Sequence, residues 1–315
     1  MSEAAASATR PRALVPGARV ALVAPAGPLG PDQIEASVAR CESLELEPVL
    51  FPSAGARHRF LAGTDDARLL DLQAAFDDPV IDAVWALRGG YGTLRILDRL
   101  DLGRQLRDPI PFIGFSDNTT LHARHAALGV GSFHGPHPNA GFPEATAEAF
   151  RRVLFRAEPP GELPRRPEDP PPRTLVSGVA EAPLIGGNLA MVAALLGSPD
   201  APSARGRILF LEEVGEPAYR VDRLLLQLLR GNVTDGLLGL AFGRFTDPPD
   251  DDEHPVPEVL LEVARQLGVP AVLDLPVGHV EHNWTLPVGA RARLDADAAT
   301  LELVEPAVEA RTTVV

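Results

Sequence analysis

The sequence predicts an α/β protein: a parallel, doubly wound sheet with helices on both faces, followed by a smaller mixed α/β domain of barrel-like character. Three observations carry this. Short apolar runs alternate with amphipathic stretches through the first half of the 315 residues, which is the pattern of repeated βαβ units. Residues 157–173 are so rich in proline that they can form neither a helix nor a central strand. Beyond them, six strand-like runs surround only three helical ones.

Residues 19–24, Arg-Val-Ala-Leu-Val-Ala, read as a buried strand and 32–44 as a helix. Residues 48–51 read as a strand, 65–76 as a helix and 81–87 as a strand. A further strand at 111–115 runs into a helix over 117–128. Ligands of such sheets bind at the carboxyl ends of the strands. With 157–173 as linker, residues 1–156 form the first domain and 174–315 the second. In the second, strands are expected at 174–179, 207–211, 237–242, 271–274, 290–294 and 300–304, around helices at 189–196, 219–229 and 257–267.

Composition removes several function classes. Hydrophobic residues at 45% and charged residues at 23% are ordinary globular values and exclude fibrous or wholly disordered chains. A formal net charge of -14 opposes phosphate backbones and anionic bilayers, so neither nucleic acid nor membrane is an expected partner. All 29 basic residues are arginine, which rules out Schiff-base and lysine-base chemistry. The single cysteine, Cys41, sits in a helical pattern and reads as a core thiol of a reducing compartment. Residues 1–12 lack the apolar stretch of a signal peptide and read as a short frayed tail of a cytoplasmic protein. The acidic, proline-rich residues 247–254 have no EF-hand spacing and read as a solvated turn.

Four segments could carry chemistry. In Gly114-Phe115-Ser116-Asp117-Asn118-Thr119-Thr120 a serine stands where an apolar strand turns into a helix. Such a hydroxyl projects at the sheet edge beside backbone N–H groups able to hold an oxyanion. The same residues also read as a helix N-cap with a carboxylate in the first turn. In Leu87-Arg88-Gly89-Gly90-Tyr91-Gly92 the glycines allow close backbone approach to a ligand or supply a second oxyanion donor. A phosphate loop or a plain turn is the alternative, without either nucleotide-binding fingerprint. The run from Ile208 to Glu216 ends an apolar strand in carboxylates, Glu212 being nearest the strand. A carboxylate there can orient a histidine, or cap the following helix. Finally, His279 after Pro276-Val277-Gly278 is the best base candidate among eight histidines. The pairs His279/His282, His122/His125 and His134/His137, each spaced i, i+3, also raise zinc ligation, though none has the His-Glu-x-x-His form.

In this order the segments resemble the LD-carboxypeptidase family, serine peptidases that include muramoyltetrapeptide carboxypeptidases and microcin-immunity hydrolases. The resemblance also rests on Ala24-Pro25-Ala26-Gly27, His134-Gly135-Pro136, Gly186-Gly187-Asn188-Leu189, Tyr219-Arg220-Val221-Asp222-Arg223 and Leu286-Pro287-Val288-Gly289. It implies a Rossmann-like first domain bearing the nucleophile Ser116, with the base His279 and the orienting Glu212 in the second. Backbone N–H groups of Gly90 and Asp117 would hold the oxyanion. The family usually has Asp after that glutamate; here Glu213 stands there, so Glu212 and Glu213 both remain open as the orienting group. The resemblance implies no metal or organic cofactor, and a small peptide as substrate. The first expectation is release of D-alanine from a murein tetrapeptide, the second cleavage of peptidyl- or aminoacyl-nucleotides, and the third ligand binding without catalysis. A homodimer is one candidate assembly. In a chain without lysine, Arg88 is the candidate for the substrate's free carboxylate, and Tyr91, Asn188 and Trp284 complete the expected binding set.

Overall fold

The computed structural model describes residues 3–249 and 255–311. The acidic run 247–254 thus lies largely outside the described residues. The first half alternates β1 (Arg19–Val23), α1 (Pro31–Ser43), β2 (Glu47–Leu50), α2 (Asp65–Asp77), β3 (Ala83–Ala86), α3 (Gly103–Arg107), β4 (Phe112–Gly114), α4 (Thr119–Ala127), β5 (Ser132–His134) and α5 (Glu144–Leu154). Four of the five β1 residues and all of β3 and β4 are buried, as strands covered by helices on both faces require. Thr64 caps α2 by accepting the Ala67 N–H at 3.2 Å, so the helix starts where the sequence places it.

The second half contributes β6 (Gly161–Glu162), β7 (Arg173–Val176), β8 (Val179–Asn188), α6 (Leu189–Ala194), β9 (Ile208–Val214), α7 (Ala218–Arg230), β10 (Gly239–Thr246), α8 (Val256–Leu267), β11 (Ala271–Leu273), β12 (Leu286–Val288), β13 (Arg291–Asp295) and β14 (Thr300–Leu303). Two mixed sheets result. The first has the order β12-β5-β4-β3-β1-β2 and the second β6-β14-β13-β8-β9-β10-β11-β7. Within the second, β8 to β11 are parallel and the flanking strands antiparallel.

One strand crosses between the halves. β12 pairs antiparallel with β5, Leu286 opposite His134, so the first sheet is parallel only up to an edge strand from far along the chain. A single hydrophobic cluster accordingly joins Leu22, Trp85 and Phe133 to Leu184, Phe210 and Leu286. The expected strand at 174–179 is two strands, β7 and β8, and β8 runs on to Asn188. The frayed tail is corrected: Ala5 N–H donates to Gly206 O, Ala8 N–H to Gly289 O and Thr9 N–H to Gly129 O, at 2.8 to 2.9 Å. Cys41 is fully buried, its thiol pushed up to about 12 first by desolvation and then by Glu42. It is therefore an unreactive core group. Among the described residues no helix is long and apolar enough to cross a membrane.

Candidate active site

The carboxyl ends of β3, β4, β8 and β9 converge, and each delivers one element of the site. β4 ends at Gly114, and a 3₁₀ turn over Ser116–Asn118 leads into α4. Ser116 has φ 61°, a left-handed conformation that non-glycine residues rarely adopt and that clusters at functional turns. No side chain caps the 3₁₀ turn or α4. The N-cap reading of Ser116 therefore falls, and its hydroxyl is not committed to the helix.

The glycine loop after β3 lies against this serine. A Cβ built on Gly89 would stand 2.8 Å from Ser116 Cβ, 2.9 Å from Ser116 Oγ and 3.1 Å from the Asp117 nitrogen. Only a residue without a side chain allows that approach. Neither the Gly90 nor the Asp117 N–H is taken up by an acceptor among the described residues. Gly89→Ala is accordingly expected to lower kcat by about 10²-fold, the cost of misplacing reacting groups by about 1 Å. Steady-state kinetics and a melting curve on the folded variant check it.

β8 and β9 bring in the carboxylate. They pair in parallel with Asn188 opposite Glu212, and α4 docks on β8 because Gly187, at φ 139°, leaves room where a Cβ would meet Thr119 Oγ1 at 2.5 Å. Thr119 Oγ1 in turn accepts the Asn188 N–H at 3.0 Å. The strand after this junction presents Glu212, which has no exposed surface. His279 Nδ1 donates to its Oε2 at 2.8 Å, and this fixes the tautomer that leaves Nε2 basic. Gly278, at φ 117°, makes the contact possible: a Cβ there would sit 2.6 Å from Glu212 Oε2. The Gly278 N–H donates to Asn283 Oδ1 at 3.0 Å and pins the loop.

Glu213 points its charge elsewhere. Its carboxylate accepts from Asn188 Nδ2 at 2.8 Å, from the Ala190 N–H at 2.8 Å and from the Val214 N–H at 2.9 Å. It caps α6 rather than touching the histidine. Burial pulls the His279 pKa down, but the hydrogen bond and charge of Glu212, helped by Glu213 and Asp247, outweigh it, and the net shift is upward. Phe115, next to the serine, packs on the imidazole with ring centroids 4.8 Å apart. The Ser116 turn and the His279–Glu212 pair thus come together from opposite halves of the chain.

The remaining candidates divide. The Arg88 guanidinium lies beside Gly27 and Gly90 and donates to Pro28 O at 2.9 Å; among the described residues it has no carboxylate partner. Tyr91 is 48% exposed and meets Phe60 edge-on at 5.4 Å. Asn188 is buried, accepts the Met191 N–H and holds Glu213, so it positions strand and helix. Trp284 needs correction as a member of the binding set: it is 3% exposed, sits in the shared core and donates its indole N–H to Pro164 O at 2.7 Å.

Three of the other paired histidines serve the framework. His122 donates Nε2–H to Gly114 O and meets Ser132 Oγ, His125 bonds Leu121 O and Gln105, and His282 bonds Thr146 and Pro164 O. Desolvation holds His122 and His137 down to about 3 and His125 to about 4. Among the described residues no three His, Cys, Asp or Glu side chains gather as a metal-ligand set. A cavity of about 410 Å³ adjoins the His279 loop, but its acids are taken: Asp274 by Arg173 and Arg244, Asp169 and Glu281 by Arg166. The buried Asp117 carboxylate, the spacing role of Gly278 and the docking role of Gly187 were not read from sequence. The glycines were visible as motif members, but what each must approach lies on a distant element, Glu212 on β9 and Thr119 on α4.

Comparison with known proteins gives the family. Residues 20–135 match the LD-carboxypeptidase N-terminal domain and 181–294 the LD-carboxypeptidase C-terminal domain. The chain is 42% identical over 314 residues to a putative carboxypeptidase of Streptomyces coelicolor, covering 95% of this chain and 97% of that protein. It is 39% identical over 289 residues to the murein tetrapeptide carboxypeptidase of Pseudomonas aeruginosa, covering 89% and 94%. Among solved structures it is similar to muramoyltetrapeptide carboxypeptidase from Oxalobacter formigenes, with TM-score 0.80, 29% identity and coverage of 91% and 99%. It shares the fold of the microcin C7 self-immunity protein MccF, with TM-score 0.87, 22% identity and coverage of 95% and 99%. The chain therefore belongs to the LD-carboxypeptidase family of peptidases.

Proposed function

We propose that this protein is a serine carboxypeptidase that removes the terminal D-alanine of a murein tetrapeptide, with Ser116 as nucleophile, His279 as base and Glu212 as the group that orients it. The observation that carries the reading is the 2.8 Å bond from His279 Nδ1 to the fully buried Glu212, together with a serine at φ 61° that caps nothing. Ser116 Oγ attacks the carbonyl carbon as its proton passes to His279 Nε2. The carbonyl oxygen takes the negative charge and is held by the N–H groups of Gly90 and Asp117. His279 then protonates the departing amine of D-alanine, leaving the acyl chain esterified to Ser116. Water, deprotonated by the same imidazole, releases the shortened peptide.

Arg88 supports the exopeptidase assignment. A half-buried guanidinium beside the oxyanion loop, without a carboxylate partner among the described residues, can take the free carboxylate of the terminal residue in a charge-assisted pair. The division of labour follows the chain: residues 1–156 as a domain supplying serine and oxyanion loop, 174–315 as one supplying glutamate and histidine. The reading is tested by mass spectrometry of purified protein with murein tetrapeptide and, separately, with a peptidyl-nucleotide, each in excess chelator. We expect the tetrapeptide to lose one alanine at undiminished rate in chelator. A higher kcat/KM for the nucleotide conjugate would replace the substrate assignment, and loss of turnover restored by zinc would replace the mechanism.

A further inference from the structure

Two buried charges beside the nucleophile turn take no part in the chemistry above. Arg68, on α2, is 1% exposed. Its Nη1 donates to Pro25 O and, at 2.9 Å, to Gly92 O, while Nη2 pairs with Asp65 at 2.5 Å. The Asp117 side chain is 2% exposed. Its Oδ2 accepts the Thr93 N–H at 2.8 Å and meets the Thr93 hydroxyl at 2.8 Å. The carbonyl of Gly92 and the N–H of Thr93 belong to one peptide group. A single peptide plane is thus held at its oxygen by a buried guanidinium and at its hydrogen by a buried carboxyl group.

The position of that plane matters. It follows Gly90 and Tyr91 directly, while Asp117 follows Ser116, so the clamp ties the two segments that supply the oxyanion donors. Gly92 has φ 136°, and a Cβ on it would stand 2.7 Å from Arg68 Nη1; glycine is what admits the guanidinium. The Thr120 hydroxyl donates to Thr93 Oγ1 at 2.7 Å and anchors the same loop to α4. Hydrogen bonds to ionised groups are roughly twice as strong as neutral ones, and burial strengthens them further.

We propose that the side chains of Arg68 and Asp117 are paired positioning residues, gripping the Gly92–Thr93 peptide between them so that the Gly90 and Asp117 N–H groups keep the spacing an oxyanion needs. The inference rests on the serine mechanism above. A framework role alone would lower stability and leave the kinetics of the folded enzyme unchanged. A positioning role lowers transition-state stabilisation while ground-state binding stays intact.

The test compares Arg68→Lys, Asp117→Asn and the double variant. Lysine keeps the charge but has one nitrogen, so it cannot hold the two carbonyls from one end of a planar fork and Asp65 from the other as Nη1 and Nη2 do; asparagine keeps the shape of the aspartate. Three quantities are measured: kcat and KM on the tetrapeptide, melting temperature, and affinity for phenylboronic acid. In the boronate adduct Ser116 Oγ bonds to boron, its proton passes to His279, and the tetrahedral centre stands in for the oxyanion. Each single variant is expected to lose about 10- to 10²-fold in both kcat and boronate affinity. KM, and tetrapeptide binding in a Ser116→Ala background, should stay within about threefold. The double variant should be about as impaired as the worse single, because both groups hold one peptide. Unchanged kcat and boronate affinity with a lowered melting temperature would overturn the proposal, as would singles whose effects multiply. If Arg68→Lys does not fold, Asp117→Asn alone decides between these outcomes. A wild type that binds boronate but spares the tetrapeptide would sink the substrate assignment and leave the boronate affinities to judge the clamp. A wild type in which boronate does not engage Ser116 would overturn both.

Discussion

Ser116→Ala is expected to abolish hydrolysis, with kcat falling by about 10⁴ to 10⁶, the range seen when a triad nucleophile is removed. Its stability should hardly change. A serine that caps a helix would cost about 1 kcal/mol on replacement by alanine, but neither the 3₁₀ turn nor α4 draws a side-chain cap from it. Both residues carry a Cβ and so meet the same penalty at φ 61°. The variant should also keep the substrate intact and bound, which makes it the background for measuring ground-state affinity. Turnover near that of the wild type, with a lowered melting temperature, would return Ser116 to the framework.

Glu212→Gln is expected to lower kcat by about 10⁴, since an amide no longer enforces the tautomer that leaves Nε2 basic or stabilises the imidazolium. Its pH dependence gives a second, independent reading. In the wild type, burial depresses the His279 pKa and Glu212 more than reverses this. The base works only as neutral imidazole, so kcat/KM should fall as pH drops through a value above the usual histidine figure of about 6.5. With the carboxylate gone the desolvation remains, and the acidic limb of the residual activity should move to lower pH. A limb that stays in place would detach Glu212 from His279. His282→Ala is a useful companion: its ring is bonded to Thr146 and Pro164 O, so activity of the folded variant should persist, whereas a zinc pair would lose His279 and His282 together.

Most of the fold was legible because buried parallel strands are apolar runs. β1, β3, β4, β9 and β10 fall within a few residues of their expected places for that reason. β8 was hidden: Pro183, Gly186 and Gly187 interrupt its pattern, although two of these are the glycines that let Phe210 and Thr119 approach. β5 and β12 have three residues each; β5 is a strand because it lies between β4 and β12, and β12 only by pairing with β5 across about 150 residues of sequence.

The Ser116 turn and the His279 loop could be read because each is a local motif. Choosing between Glu212 and Glu213 could not: adjacent strand residues face opposite sides, and which side holds the histidine depends on how the second sheet packs. Trp284 shows the reverse error. Five residues from His279 along the chain, it belongs to the core in space, so proximity in sequence was mistaken for proximity to the site. Asp117 was read for its backbone N–H or as a first-turn carboxylate, since nothing in the sequence shows that its carboxylate reaches Thr93.

The claim at the centre of this account is a covalent acyl-enzyme on Ser116, and the most direct measurement is intact-protein mass after acid quench during turnover of the tetrapeptide, followed by peptide mapping. The expected result is a mass increment equal to the substrate less D-alanine, located on the peptide containing Ser116 and missing from Ser116→Ala, which also releases no D-alanine. Release of D-alanine at equal rates by wild type and Ser116→Ala, with no increment on either, would contradict it.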